Sequence, residues 1–148
     1  MGKNIIFLVL IFFVSNCGFA PIYVKNTNVN FSIEQVTYKG DRELNNFLKT
    51  NLSQYKKKEA DNKIFIEATS VYKKNILSKD STGEVTNYQL EAEVTFTIKP
   101  TNRVITITEK KIMNSMADKF EEATYESSIK QTFASSISSK LSSELVVN

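Results

Sequence analysis

The 148-residue chain has no histidine, no tryptophan, a single cysteine, two prolines and four glycines. Each shortage excludes something. Without histidine the commonest general base and metal ligand is missing, and serine or thiol triads cannot be assembled in their usual form. With Cys17 alone, no internal disulfide can form, so passage through an oxidising compartment leaves no mark on the fold. The scattered glycines contain no phosphate-cradling loop. Charge is not one-sided either. Nineteen Lys and Arg stand against sixteen Asp and Glu, a formal +3, and that balance gives no reason to expect nucleic acid. The carboxylate pairs Glu91/Glu93 and Glu121-Glu122 lack a spaced partner ligand and read as solvated surface. Serine and lysine are too abundant for any one pair to mark a dyad. The expectation is a non-enzymatic protein with no cofactor and no metal.

What is present begins at the N-terminus. Lys3 precedes ten uninterrupted apolar residues, 5–14, too short for a bilayer core that needs about 20 helical residues but the length of a signal-peptide h-region. Val14-Ser15-Asn16-Cys17 follows. An aliphatic residue three places before a cysteine is the pattern cut by lipoprotein signal peptidases, and Asn16 departs from the small residue usual before the cut. Residues 1–16 are therefore expected to be a lipoprotein signal peptide and Cys17 the lipid-attachment residue. The competing reading is a free thiol that packs as a small hydrophobe. One acyl chain, at about 0.8 kcal/mol per buried methylene, anchors only marginally, whereas several (palmitate among them) anchor durably. Removal of the leader leaves 132 residues with a formal charge of +2, the size of one domain with one core.

Residues 17–28 carry a proline, several polar residues and no sustained period, and read as a lipidated start and tether. Residues 29–148 read as a single domain. Val29, Phe31 and Ile33 alternate, then Val36 and Tyr38 continue on the opposite parity, which predicts a strand with a bulge near Glu34-Gln35. Gly40-Asp41 ends it and caps a helix whose stripe is Leu44, Phe47, Leu48, Leu52 and Tyr55, running to about Lys56. Ile64, Ile66, Ala68 and Tyr72 predict a second strand, and residues 78–83 a turn. Tyr88, Leu90, Ala92, Val94, Phe96 and Ile98 alternate against Gln89, Glu91, Glu93, Thr95 and Thr97, so one face of that third strand lies in the core and the other outside it. Residues 104–113 form a fourth strand after the turn at Pro100-Thr101-Asn102.

Ser115-Met116-Ala117-Asp118 fits a Ser-x-x-Asp capping pattern. The helix beyond it repeats Tyr125, Ile129, Phe133, Ile137, Leu141 and Leu145 at every fourth position, with eight serines between residues 127 and 143 read chiefly as solvated surface. The predicted fold is α+β: a two-layer sandwich of order β-α-β-β-β-α, a four-stranded mixed sheet with two helices on one face and the other face open to water or a polar partner. Among the cations, Lys56-Lys57-Lys58, Lys73-Lys74 and Lys110-Lys111 read mainly as solubilising runs. Lys73-Lys74 and Lys79 nonetheless sit on a hairpin arm and its tip, where a phosphate can be met without burying a charge. Lys119 lies in the first turn of the last helix, where the free N–H groups and dipole disfavour a cation but would act with it on an anionic ligand.

Cys17-Gly18-Phe19, then Pro21-Ile22-Tyr23, the order of elements, and above all Gly83-Glu84-Val85-Thr86-Asn87-Tyr88-Gln89-Leu90 leading into a long alternating strand that ends at Pro100, together resemble the lipopolysaccharide-assembly lipoprotein (LptE) family across nearly the whole chain. The resemblance implies a non-enzymatic outer-membrane lipoprotein of a Gram-negative bacterium, facing the periplasm and a barrel lumen. It implies a large β-barrel partner of the lipopolysaccharide translocon, which the protein plugs and helps to assemble, and binding of lipopolysaccharide. The family's ligand-contacting cations match Lys79 and Lys119; Ser81 and Thr82 stand nearest Gly83 where a cation would fit better. The alternative is a stand-alone periplasmic binding or envelope-scaffolding lipoprotein with no barrel.

Overall fold

The computed structural model describes residues 31–56 and 62–146. The expected signal peptide, Cys17, the tether and the start of the first strand at Val29 lie outside the described residues, as do Lys57 and Lys58. The elements are β1 (Phe31–Gly40), α1 (Arg42–Leu52) with a 3-10 turn at Ser53–Tyr55, β2 (Asn62–Lys79), β3 (Val85–Lys99), β4 (Arg103–Asn114) and α2 (Lys119–Val146). Strand order is β1-β2-β3-β4. The first pair is parallel and the other two antiparallel. The observed fold is the predicted one, a four-stranded mixed sheet with two helices.

β1 carries its register break between Ile33 and Gln35, where the apolar parity switches. It ends at Gly40, whose φ is +97° and whose absent Cβ would fall 1.8 Å from the Ser70 carbonyl oxygen. Only glycine satisfies both conditions. Ser70 receives the junction: its carbonyl accepts from Asp41 N at 3.3 Å, and its buried hydroxyl donates toward the Lys39 and Asp41 carbonyls. Asp41 then caps α1, its Oδ1 accepting from Leu44 N at 2.8 Å. Leu44, Leu48 and Leu52 are buried along the helix. The stripe reaches Tyr55 through the 3-10 turn rather than through continued α-helix, and Tyr55 stacks on Phe31.

Ile66 and Ala68 of β2, Leu90 to Ile98 at alternate positions of β3, and Ile105, Ile107 and Met113 of β4 form one buried face. They share a single cluster with Leu44 and Leu48 of α1 and Ile129, Phe133, Ile137 and Leu141 of α2. Both helices therefore cover the same side of the sheet. At about 1.5–3 kcal/mol for each fully buried large aliphatic or aromatic side chain, this cluster is the principal favourable contribution to folding.

Two local expectations are corrected. The capping box at Ser115 does not form; Asp118 itself caps α2, its Oδ1 accepting from Phe120 N and Glu121 N, because Ser115 is the residue that still follows β3, its N–H donating to the Thr86 carbonyl at 2.8 Å. The second strand runs on to Lys79, seven residues beyond Tyr72, because β3 supplies a pairing partner along that whole length even where alternation has lapsed.

Candidate interaction surfaces

The long β2–β3 hairpin projects the Lys79 region. Its tip, residues 80–84, is organised by one side chain: Asp80 Oδ1 accepts from Thr82 N (2.9 Å), Thr82 Oγ1 (2.7 Å) and Glu84 N (2.9 Å). The hydroxyl of Thr82 and the backbone N–H groups around it hold the exposed Asp80 carboxyl below its ordinary range. Gly83 takes φ +88° with nothing near its missing Cβ. The turn thus needs glycine for its backbone conformation alone. Lys79 is exposed and has no ion-pair partner among the described residues.

Between this tip and the β4–α2 connection lies an open groove of about 930 Å³, lined on one side by Asp80, Glu84 and Tyr88 and on the other by Met116 and Lys119. The groove is lined by Lys119 but not by Lys79, so it does not bring the two predicted cations together. Lys119 is engaged: its Nζ donates to Glu122 Oε2 at 3.1 Å and to the Met116 carbonyl at 3.2 Å. Two carboxylates at the tip further offset the positive charge there.

Glu122 is the centre of a polar seam that sequence reading missed. It is 5% exposed. Its carboxylate accepts from Met116 N (2.9 Å), Lys74 Nζ (3.0 Å), Lys119 Nζ (3.1 Å) and Ser115 Oγ (3.3 Å). The Met116 N–H, then Lys74, outweigh burial and push its pKa down to about 2. Lys74 also donates to Glu126 (2.8 Å) and lies 4.3 Å from the Tyr88 ring centroid. Burial works against its ammonium, but Glu126 and Glu122 prevail and its pKa is raised. Tyr72 donates to Glu126 at 2.9 Å, and burial followed by that carboxylate drives its phenol upward. Lys130 sits 4.2 Å over the Tyr72 ring and pairs with Glu43 of α1 at 2.8 Å. Lys74, Glu122, Glu126, Tyr72, Lys130 and Glu43 therefore tie the hairpin arm, α2 and α1 together. The seam positions the arm relative to the helices.

The opposite face of the sheet is uncovered among the described residues and mixed in character: polar rows cross it, and Phe65, Val71, Val104 and Ile112 are exposed among them. Register aligns Thr69, Thr95 and Thr106 across three strands, and Lys73, Glu91 and Lys110 across the same three. Thr95 and Thr106 share a hydrogen bond at 3.1 Å, and Lys110 pairs with Glu91 at 3.0 Å. Of the carboxylates considered for chemistry, Glu91 is thus an ion-pair partner, Glu122 a structural one, and Glu93 and Glu121 are exposed. The groove and this face differ in kind: the first is concave beside a cation, the second a broad hydrogen-bonding plane. Among the described residues no group of three Asp, Glu, Cys or His could hold a metal ion, and no helix is long and apolar enough to cross a membrane.

The fold, a two-layer β-α-β-β-β-α sandwich, is similar to that of solved bacterial lipoproteins. The structure is similar to that of rare lipoprotein B from Shewanella oneidensis, with a TM-score of 0.54 and 17% identity over 74% of this chain and 95% of that one. It is also similar to lipoprotein B from Nitrosomonas europaea, with a TM-score of 0.55 and 16% identity over 80% of this chain and 86% of that one. At such identities the likeness is one of fold. No protein-family model and no curated protein matches the sequence.

Proposed function

We propose that the chain is a lipid-anchored outer-membrane component of the lipopolysaccharide transport and assembly machinery, acting without catalysis by plugging a large β-barrel partner and helping it assemble. The observation that carries this reading is the sheet's uncovered face, where a threonine row and a Lys73–Glu91–Lys110 row cross all three antiparallel strands between the exposed apolar side chains of Phe65, Val71, Val104 and Ile112. Barrel lumens are polar and accept plugs, so such a face meets a lumen without desolvating an apolar core. The shared fold with bacterial lipoproteins and the Cys17 motif support the same reading.

The test is a detergent pull-down from native membranes with mass analysis of the mature N-terminus. The expected result is a stoichiometric large β-barrel and a triacylated Cys17 as first residue. An acylated chain recovered without a barrel favours the stand-alone envelope scaffold instead, and an unacylated one overturns the anchor.

Lipopolysaccharide is the proposed ligand, with Lys79 and Lys119 meeting its phosphates. Because Lys119 is shared with Glu122 whereas Lys79 is uncommitted, Lys79→Ala is expected to weaken binding more than Lys119→Ala. A Lys79→Ala/Lys119→Ala protein that retains full lipopolysaccharide binding refutes the assignment of these residues while leaving the plug reading intact.

A further inference from the structure

β4 is the last strand of the sheet, and among the described residues no strand pairs with its outer side. Exposed strand edges invite pairing unless something blunts them. The other edge, β1, is blunted by its register break; β4 pairs with β3 without any break from Arg103 to Asn114. Which of its backbone groups are free follows from one bond. Ser115 N donates to the Thr86 carbonyl, one step beyond the Asn87–Asn114 pair. Hydrogen-bonded and non-hydrogen-bonded pairs alternate along an antiparallel ladder, so the odd-numbered residues of β4 bond to β3. The even-numbered ones, Val104, Thr106, Thr108, Lys110 and Ile112, turn their N–H and C=O groups outward.

These same five residues carry their side chains on the open face, and their pattern is nearly symmetric about Thr108. Val104 and Ile112, each 60% exposed, lie four residues to either side of it. An antiparallel copy centred there sets Val104 against the second copy's Ile112 twice, Thr106 against its Lys110, and Thr108 against its Thr108. The lysines that would ordinarily deter an edge are occupied: Lys110 by Glu91 at 3.0 Å, and Lys111 over the Tyr125 ring at 5.6 Å. The two Glu109 carboxylates come diagonal to each other, each already held by its own Lys140 and Ser136.

α2 is the element that a second copy would meet at this edge. Its flank beside β4 is marked by Ser136 and Lys140 on Glu109 and by Glu144 on Arg103. A strand added about 4.8 Å away brings a second α2 alongside the first, and helices with bulky contacts need 8–10 Å between axes. At helical spacing from Ser136 stand the small Thr132, Ser139 and Ser143, together with Phe133 in the core and Lys140, which is held on Glu109. Thr132 and Ser143 return their hydroxyls to their own helix, at 2.9 and 3.1 Å.

We infer that the free edge of β4 is a homodimerisation edge, on which a second copy of this chain adds its β4 antiparallel about a two-fold axis at Thr108. The isologous contact is closed, so it yields a dimer with one continuous eight-stranded sheet rather than a filament. It spares the groove, but Thr106 and Lys110 belong to the open-face rows on which the plug reading rests, so the dimer is the state of the chain outside a barrel; it does not depend on the lipopolysaccharide reading.

The experiment is sedimentation velocity of the full-length chain in density-matched detergent over a protein dilution series. The wild type is expected to sediment as a concentration-dependent dimer. Thr108→Pro removes an N–H that faces the free side, not β3, and Ile112→Lys changes an exposed side chain; each is expected to weaken association about tenfold or more. Val71→Lys, on the open face away from the edge, leaves the dimer in place. If Thr108→Pro does not fold, Ile112→Lys with an unchanged circular dichroism spectrum decides alone. A wild type that stays single at every concentration, or an Ile112→Lys protein as dimeric as the wild type, overturns the inference; the latter is also what mere sharing of a micelle produces.

Discussion

Replacing Glu122 with glutamine keeps the shape of the side chain and removes its charge, and so isolates what the carboxylate contributes to holding the hairpin arm. In the folded protein its pKa lies at about 2 against an ordinary 4.5. At 1.36 kcal/mol per pH unit, the ionised form is worth about 3 kcal/mol to the folded state. A glutamine oxygen still accepts from Met116 N, Lys74 keeps Glu126, and Lys119, which loses its carboxylate, is solvent-exposed, so no buried charge is left uncompensated. The expected loss at pH 7 is therefore about 2–3 kcal/mol. The sign with pH is definite: a depressed carboxylate stabilises fully above its unfolded pKa, and that stabilisation disappears as pH falls through the folded one. The gap between wild type and Glu122→Gln should hold from pH 7 to about 5, shrink below 4.5 and nearly close by about 2. Glu43 and Glu109 are also depressed, Glu43 chiefly by Lys130 and Glu109 by Lys140 and Ser136 against the opposing effect of burial. They are common to both proteins and cancel in the difference. Urea unfolding of the two proteins at pH 7, 4 and 2.5 measures this directly. A gap under about 0.5 kcal/mol at pH 7, or one that does not change with pH, refutes the assignment of Glu122 as an ionised clamp.

Two further perturbations check the local structure. Gly40→Ala meets both a positive φ and the Ser70 carbonyl and should cost about 3 kcal/mol or more, whereas Gly83→Ala meets φ alone and should cost about 1–2 kcal/mol; equal losses in thermal or urea unfolding contradict the close approach at Gly40. Asp118→Ala should lower stability by about 1 kcal/mol through loss of the α2 cap. Ser115→Ala should cost clearly less, and the reverse order would restore the Ser115 box.

Much of the fold is written in short stretches of chain. The β1 bulge is visible because parity switches within five residues, and the β3 core face because six apolar residues alternate without a fault. The Gly40-Asp41 junction is visible because both residue types are suited to that turn and cap. The site was legible only in part. Lys79 ends β2 beside the turn that the sequence marks, but the groove beyond that turn and the engagement of Lys119 are not visible in the sequence. Glu122 reads as solvated surface because no spaced partner ligand accompanies the Glu121-Glu122 pair, and nothing within a few residues of it signals that Lys74, 48 residues away, will arrive beside it. The serines were read as solvated, yet Ser127 meets Glu43, Ser136 meets Glu109, and Ser138 is buried.

The sequence by itself determined the elements, their order and the covered side of the sheet, since periods of 2 and 3.6 are properties of neighbouring residues and survive in any context that buries one face. Tertiary structure alone decided which charges pair and which strand edge stays free. The physical reason is that a salt bridge between distant segments, or the direction of an edge N–H, depends on strand register, and register is set by how the whole sheet closes on its helices.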